Sequence, residues 1–213
     1  MTGVPEPDRL TVRFATVADV DAVAALHATR IAEGFLVTLG PAFLRRLYRR
    51  IVQSPGAFVL VVDVPGVDFP GPAPAGDRPI GGFIAVAEQT GALYREYLLR
   101  DGVPAALAAA RGILRAPRAV FETLRYGLRG GEHATGAEVL STAVAAQCAH
   151  RGIGTRLVRA ALEELGARGV TSARVVTAVG NDAAAGAYER GGFRRAGLDE
   201  VHRGVAQQLL VWP

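Results

Sequence analysis

Apolar and polar residues recur along this chain with two periods, near two and near 3.6, and the period switches several times between Leu10 and Phe193. Leu10–Phe14 alternates and predicts a first strand. Val20, Val23, Ala24 and His27 then follow helical spacing within Val17–Ile31, with Thr16 or Asp19 available as its cap. Glu33–Gly40 reads as a hinge-like link into a second helix, Pro41–Val52, whose proline suits a first helical turn. Ala57–Val64 is an unbroken apolar run of the buried-strand type, and Ile80–Glu88 predicts a third strand. Between them, residues 65–78 are rich in Pro and Gly and predict a mobile hairpin loop. A fourth strand begins at Glu138 and ends around Ala143–Val144, followed by a helix over Arg156–Ala167, a fifth strand over Val170–Val179, and a helix over Asn181–Arg190 that stops at Gly191-Gly192-Phe193. Strands alternating with helices predict an α/β domain. Residues 1–8 are polar, carry two prolines, and read as a loose tail.

Residues 89–133 interrupt this alternation. Ala92–Leu99, Pro104–Leu114 and Pro117–Leu128 predict two or three short helices, with Pro104 and Pro117 marking starts. The segment is a helical insertion before strand four. A lid, a dimerisation element and a buttress for an apolar sheet face are all compatible with it.

The chemistry concentrates in residues 137–155, AEVLSTAVAAQCAHRGIGT. Here a strand ends in a polar turn, and the turn runs through Arg151-Gly152-Ile153-Gly154-Thr155 into a helix. Backbone N–H groups in a first helical turn lack intrahelical partners, and the macrodipole adds positive potential there. Two glycines let that backbone approach an anion closely, so the turn predicts a phosphate or pyrophosphate cradle. On the later helix, Asn181, Ala184, Ala185 and Tyr188 lie at i, i+3, i+4 and i+7 and share one face. That face suits a long thin ligand, or equally a small-residue packing surface with Tyr188 in the core.

Strand, AHRGIGT turn, helix, strand, then N181-x-x-A184-x-x-x-Y188-E189-x-x-G192-F193 resembles the acetyl-CoA site of the GNAT superfamily of N-acyltransferases, over residues 136–197. The superfamily turn carries Gln or Arg where this chain has Ala149; only backbone atoms at that position need meet the phosphates. The N-terminal run FLVTLG-P-AFLRRLY, which begins at Phe35, also resembles some bacterial members of the superfamily. The resemblance implies a mixed, twisted sheet splayed between strands four and five and flanked by helices. It implies acetyl-CoA as cosubstrate, no metal, and direct transfer of the acetyl group to a primary amine in a ternary complex.

Carried onto this chain, the resemblance implies roles for particular residues. The amides of Ala149, His150, Arg151, Gly152, Ile153, Gly154 and Thr155 would meet the pyrophosphate. Ala143 and Val144 would pair with the pantetheine arm, with Asn181 and Ala184 lining it from the facing helix. The Val144 N–H would receive the developing oxyanion. Tyr188 would protonate the departing thiolate, since a phenol near pKa ~10 still holds its proton where a thiol near ~8.5 is released. Glu138 is the candidate general base and a substrate contact, and Phe35 a second substrate contact. Simple alternation puts Glu138, Leu140 and Thr142 on one face, where apolar surroundings would raise the carboxylate's pKa. A solvated carboxylate and a water relay are the alternatives.

Composition narrows the partners. Half of the 213 residues are hydrophobic, enough for a core. The pI is near 9.8, yet the net charge is only +4. Acidic residues are interspersed, all basic residues are Arg, and no basic block is interleaved with aromatics, so nucleic acid is not the expected partner. The single cysteine, Cys148, excludes an intrachain disulfide and fits a cytoplasmic setting; in the turn it reads as an incidental residue. No Cys/His spacing suggests a metal site, and no apolar run is long enough to span a membrane. His27 reads as a satisfied core histidine. The preferred acceptor is a small-molecule amine such as an amino sugar, an amino acid or a natural-product intermediate, with a homodimer possible. A protein or peptide amine, or a non-catalytic acetyl-CoA-binding domain, are the other two readings.

Overall fold

The two most apolar runs, Ala57–Asp63 (β2) and Ile80–Ala87 (β3), are buried at every position. Strands covered on both faces need no polar alternation, so these runs form the middle of the sheet. The computed structural model describes residues 10–31, 35–65, 79–115, 136–202 and 205–213. The other strands among them are β1 (Thr11–Phe14), β4 (Ala137–Val144), β5 (Ala173–Ala178), β6 (Arg194–His202) and β7 (Val205–Trp212). Together the described residues form a seven-stranded sheet in the order β1-β2-β3-β4-β5-β7-β6. Every pairing is antiparallel except β4 with β5.

That parallel pairing is short. Ala137 meets Ala173 and Glu138 meets Arg174, and beyond this register the two strands separate. The predicted splay is therefore present, closed at Glu138 and open toward Val144.

Helices cover both faces: α1 (Val20–Arg30), α2 (Phe35–Thr38), α3 (Pro41–Gln53), α4 (Thr90–Arg115), α5 (Ile153–Ala167) and α6 (Asp182–Gly191). Leu157, Val158, Ala161 and Leu165 of α5, with Tyr188 of α6, pack against Phe58, Leu60, Val62, Ile84 and Val86. On the other face Val23, Leu44, Tyr48, Ile51 and Leu93, from α1, α3 and α4, pack against Val59, Val61, Phe83 and Ala85. The chain enters α1 through a 3₁₀ turn, Val17–Asp19, where the Asp19 carboxylate accepts the Thr16 N–H at 2.7 Å. Arg13 ties this entry to the sheet, bonding both Asp19 and Asp63 at 2.8 Å.

Four expectations change. The link at 33–40 contains the short helix α2. Pro104 does not start a helix; it lies inside the continuous α4. A proline costs a helix interior roughly 3 kcal/mol. Here Leu93, Tyr97, Ala105 and Ala109 are buried, and Arg50 of α3 grips Asp101 at 2.6 Å, so packing offsets that cost. The outer side of α4 leaves Leu99, Val103 and Leu107 exposed.

No sequence pattern predicts β6 and β7. Residues 194–198 of β6 are exposed, and an edge strand with no buried face has no apolar alternation to read. Finally, β4 carries a bulge: Ala85 faces Ser141 while Val86 faces Val139, leaving Leu140 as the extra residue. The bulge breaks the parity of the strand. Ser141 then bonds Tyr48 on the α3 side, whereas Thr142 meets Tyr188 on the α6 side, so Glu138, Leu140 and Thr142 do not share a face. The predicted tail at 1–8, the predicted loop at 65–78 beyond its first residue, and the predicted helix Pro117–Leu128 lie outside the described residues. Among the described residues no helix is long and apolar enough to cross a membrane.

Candidate active site

The turn before α5 is anchored from below. Ala146–Cys148 forms a 3₁₀ turn, and Cys148 is fully buried in the core beneath it. Burial pushes its thiol pKa up, partly opposed by Arg151. The residue read as incidental is thus the turn's anchor, and its thiol is withdrawn from solvent. His150 and Gly152 both take positive φ, 61° and 73°, which bends the backbone into the mouth of α5. Gly152 has open space where a Cβ would stand, so its requirement is conformational. Gly154 differs. A Cβ there would lie 3.3 Å from the Ala187 Cβ, so this glycine allows α6 to approach α5. The first intrahelical bond runs from the Arg156 N–H to the Gly152 carbonyl at 3.0 Å, leaving the amides of Ile153, Gly154 and Thr155 without helical partners.

Facing this turn, α6 begins at Asn181, whose Oδ1 accepts the Ala184 N–H at 3.2 Å. The cap uses the carbonyl end of the amide and leaves its NH₂ group for another acceptor. Further along the same helix face, Tyr188 is buried and packs edge-on against Phe193, with ring centroids 5.7 Å apart. Burial raises its pKa, with the Thr142 hydroxyl acting in the opposite direction. The phenol is therefore protonated at neutral pH.

Between turn and helix lies the open end of the β4–β5 splay. The Ala145 N–H donates to the Gly81 carbonyl at 2.9 Å. In an antiparallel ladder, alternate residues spend their backbone groups on the partner strand. Ala145 and Ala143 therefore turn toward β3, while Val144 and Thr142 turn their N–H and C=O groups toward the cleft. Arg30, at the end of α1, uses this orientation: its Nε donates to the Val144 carbonyl at 3.0 Å. Sequence reasoning missed Arg30 and the Thr142 amide. A basic residue in a last helical turn is explained by the helix dipole alone, and only the bulge register shows which amides face the cleft.

Glu138 lies at the closed end of the splay. Its Oε2 accepts the Thr90 hydroxyl at 2.9 Å and an Arg174 N–H at 3.2 Å. In place of a purely apolar setting, an ion pair with Arg174 and a bond from Thr90 join β4, β5 and the start of α4 at this carboxylate. The side chain of Phe35 lies outside the described residues. His27 does sit in the core, 3 % exposed, but it is only half satisfied. Its Nδ1 shares a 2.6 Å hydrogen bond with the Tyr48 hydroxyl, and Nε2 has no partner among the described residues. Burial lowers its pKa to about 4.

A helix mouth with unpartnered amides, a split sheet and a buried phenol thus lie together, the arrangement expected of a transferase that draws its acyl group from a coenzyme A thioester. The acetyltransferase (GNAT) family model matches residues 74–193, more than half of the chain, and the chain belongs to that family. It is accordingly an acetyl-CoA-dependent N-acyltransferase. No curated protein matches the sequence. Among solved structures, the chain is similar to a GCN5-related N-acetyltransferase from Kribbella flavida, with TM-score 0.59 and 15 % identity over 98 % of this chain and 99 % of that one. It is also similar to the aminoglycoside acetyltransferase AAC(6')-Ib in complex with coenzyme A and kanamycin (TM-score 0.56, 16 % identity, 95 % and 93 % covered). A variant of the spermidine N-acetyltransferase SpeG from Vibrio cholerae is a third (TM-score 0.57, 15 % identity, 96 % and 93 % covered).

Proposed function

We propose that this protein transfers the acetyl group of acetyl-CoA directly to a primary amine of a small molecule. The residues present fit the cosubstrate: the free amides of Ile153, Gly154 and Thr155, preceded by Ala149, His150, Arg151 and Gly152, would hold the pyrophosphate. Ala143, Val144, Asn181 and Ala184 would border the pantetheine arm, which can lie along the open strand edge as an added strand does. Bound there, acetyl-CoA supplies an activated carbonyl. The chain supplies fixed donors for the charge that develops on its oxygen, the N–H groups of Val144 and Thr142. Tyr188 supplies the proton for the departing sulfur, at a phenol that burial keeps protonated.

The observation that carries this reading is the pair of cleft-facing amides beside a buried, protonated Tyr188. A small acceptor is supported by the similarity to acetyltransferases of aminoglycosides and of spermidine. Glu138, held by Arg174 and Thr90, serves here to fix the closed end of the splay, and the amine reaches the carbonyl already neutral or through a water relay.

Release of free thiol from acetyl-CoA, measured across amino sugars, amino acids, polyamines and lysine peptides, tests the reading. Turnover confined to one class of small amines supports it. Turnover of peptides alone would replace the acceptor class. Tight acetyl-CoA binding without turnover of any amine would make the protein a binding domain.

A further inference from the structure

Two consecutive hydroxyls on β4 point to opposite faces of the sheet, and only one of them has a place in the reading above. Thr142 lies on the side of α5 and α6, where the helix mouth, Asn181 and Tyr188 would hold the thioester. Ser141 lies on the side of α1 and α3. A nucleophile adds to the thioester carbonyl on a face that the groups holding the donor leave open, and Ser141 lies on the face of β4 away from those groups. It does not stand alone: Ser141 Oγ and the Tyr48 hydroxyl are 2.8 Å apart, and the Tyr48 hydroxyl and His27 Nδ1 are 2.6 Å apart. Tyr48 and His27 are buried, and Ser141 is the end of this chain that reaches the cleft strand.

We propose that Ser141 accepts an N–H of the attacking amine, with Tyr48 and His27 as positioning residues that set the direction of its hydroxyl. This rests on the acetyl-transfer reading. A neutral primary amine has two N–H groups and one lone pair, and an acceptor that takes an N–H turns the lone pair toward the carbonyl. Ser141 offers a lone pair only if its own proton is donated inward. The strengths of the partners favour that direction: a phenol is a far better acid than a neutral imidazole N–H, so Tyr48 donates to His27 Nδ1 and is left to accept from Ser141. His27 Nε2 then carries the ring proton. The unmet N–H is the counterweight, and the tautomer is directly measurable. The chain orients the amine and no proton has to travel along it.

The test combines one spectroscopic and one kinetic measurement on the full chain. In ¹⁵N-histidine-labelled protein, assigned with His27→Asn, long-range ¹H–¹⁵N spectra should show Nδ1 bare and Nε2 protonated; the reverse tautomer overturns the proposal. With the best amine of the panel, Ser141→Ala should lower kcat by about ten- to a hundredfold, with acetyl-CoA affinity by calorimetry unchanged. Ser141→Thr should restore most of the rate. Tyr48→Phe should also slow turnover, and the double variant should be no slower than Ser141→Ala, because both remove one orientation. A wild-type rate in either single variant, or effects that multiply, sinks the assignment while acetyl transfer stands. Absence of wild-type turnover with every amine overturns the acetyl-transfer reading and this assignment with it.

Discussion

Acidification from pH 7.5 to 5 should weaken the fold by about 2 kcal/mol through His27 alone. The imidazole is 3 % exposed, lies against Tyr48 and Phe83, and burial lowers its pKa from 6.5 to about 4. The sign follows from proton counting. Between the two pKa values the unfolded chain binds a proton that the folded chain refuses, so stability falls as pH falls. The contribution is complete above about 6.5 and exhausted below about 4. A difference of 2.5 pKa units is worth about 3 kcal/mol in full, of which about 2 is lost by pH 5. Urea unfolding at pH 7.5, 6 and 5 would measure it, with His27→Asn as the comparison. Asparagine keeps an acceptor for Tyr48 but has nothing to titrate. Asp19 does not confuse the result. Its hydrogen bond from Arg13 lowers its carboxyl from 3.8 to about 2, so its loss begins only below the range tested. Wild type should lose about 2 kcal/mol more than the variant over that interval. Parallel pH curves for the two proteins would refute the burial argument.

Four further outcomes are expected. Tyr188→Phe should lower kcat by about a hundredfold at pH 7.5, with the calorimetric Kd for acetyl-CoA unchanged; a wild-type rate would remove the phenol from the chemistry. Gly152→Ala, which meets open space but must hold φ at 73°, should cost about 1–2 kcal/mol in thermal or urea unfolding as a backbone effect. Gly154→Val should wedge α5 from α6 at Ala187, costing about 1–3 kcal/mol and lowering acetyl-CoA affinity, whereas an unchanged Tm would contradict the packing role. Glu138→Gln keeps an acceptor for Thr90 but loses the charge opposite Arg174. It should reduce stability by about 1–3 kcal/mol and kcat by less than tenfold. A hundredfold fall in kcat, with loss of the rising limb of the pH profile, would return Glu138 to the role of base.

The parts of this protein legible in the sequence are those whose cause is local. The buried runs of β2 and β3, the helical spacing of α1, α3 and α5, the glycine-bearing turn into α5, and the stop at Gly192 each express a conformational preference or period set within a few residues. The motif built from Gly152, Gly154, Asn181 and Tyr188 belongs to the same class, and through it the family was readable.

What only the tertiary structure decided are relations between distant segments. One extra residue at Leu140, accommodated against β3, reverses the parity of β4 beyond it, so that Ser141 faces α3 and Thr142 faces α6 rather than the other way round. Arg174 and Thr90 reach Glu138 from β5 and α4 and change its surroundings from apolar to ionic. Packing on α3 carries α4 through Pro104, and β7 inserts between β5 and a polar edge strand that shows no alternation. Local periodicity records which residues prefer to be buried. It holds no record of which partner will bury them or in what register, because that is chosen by the free energy of the whole assembled sheet.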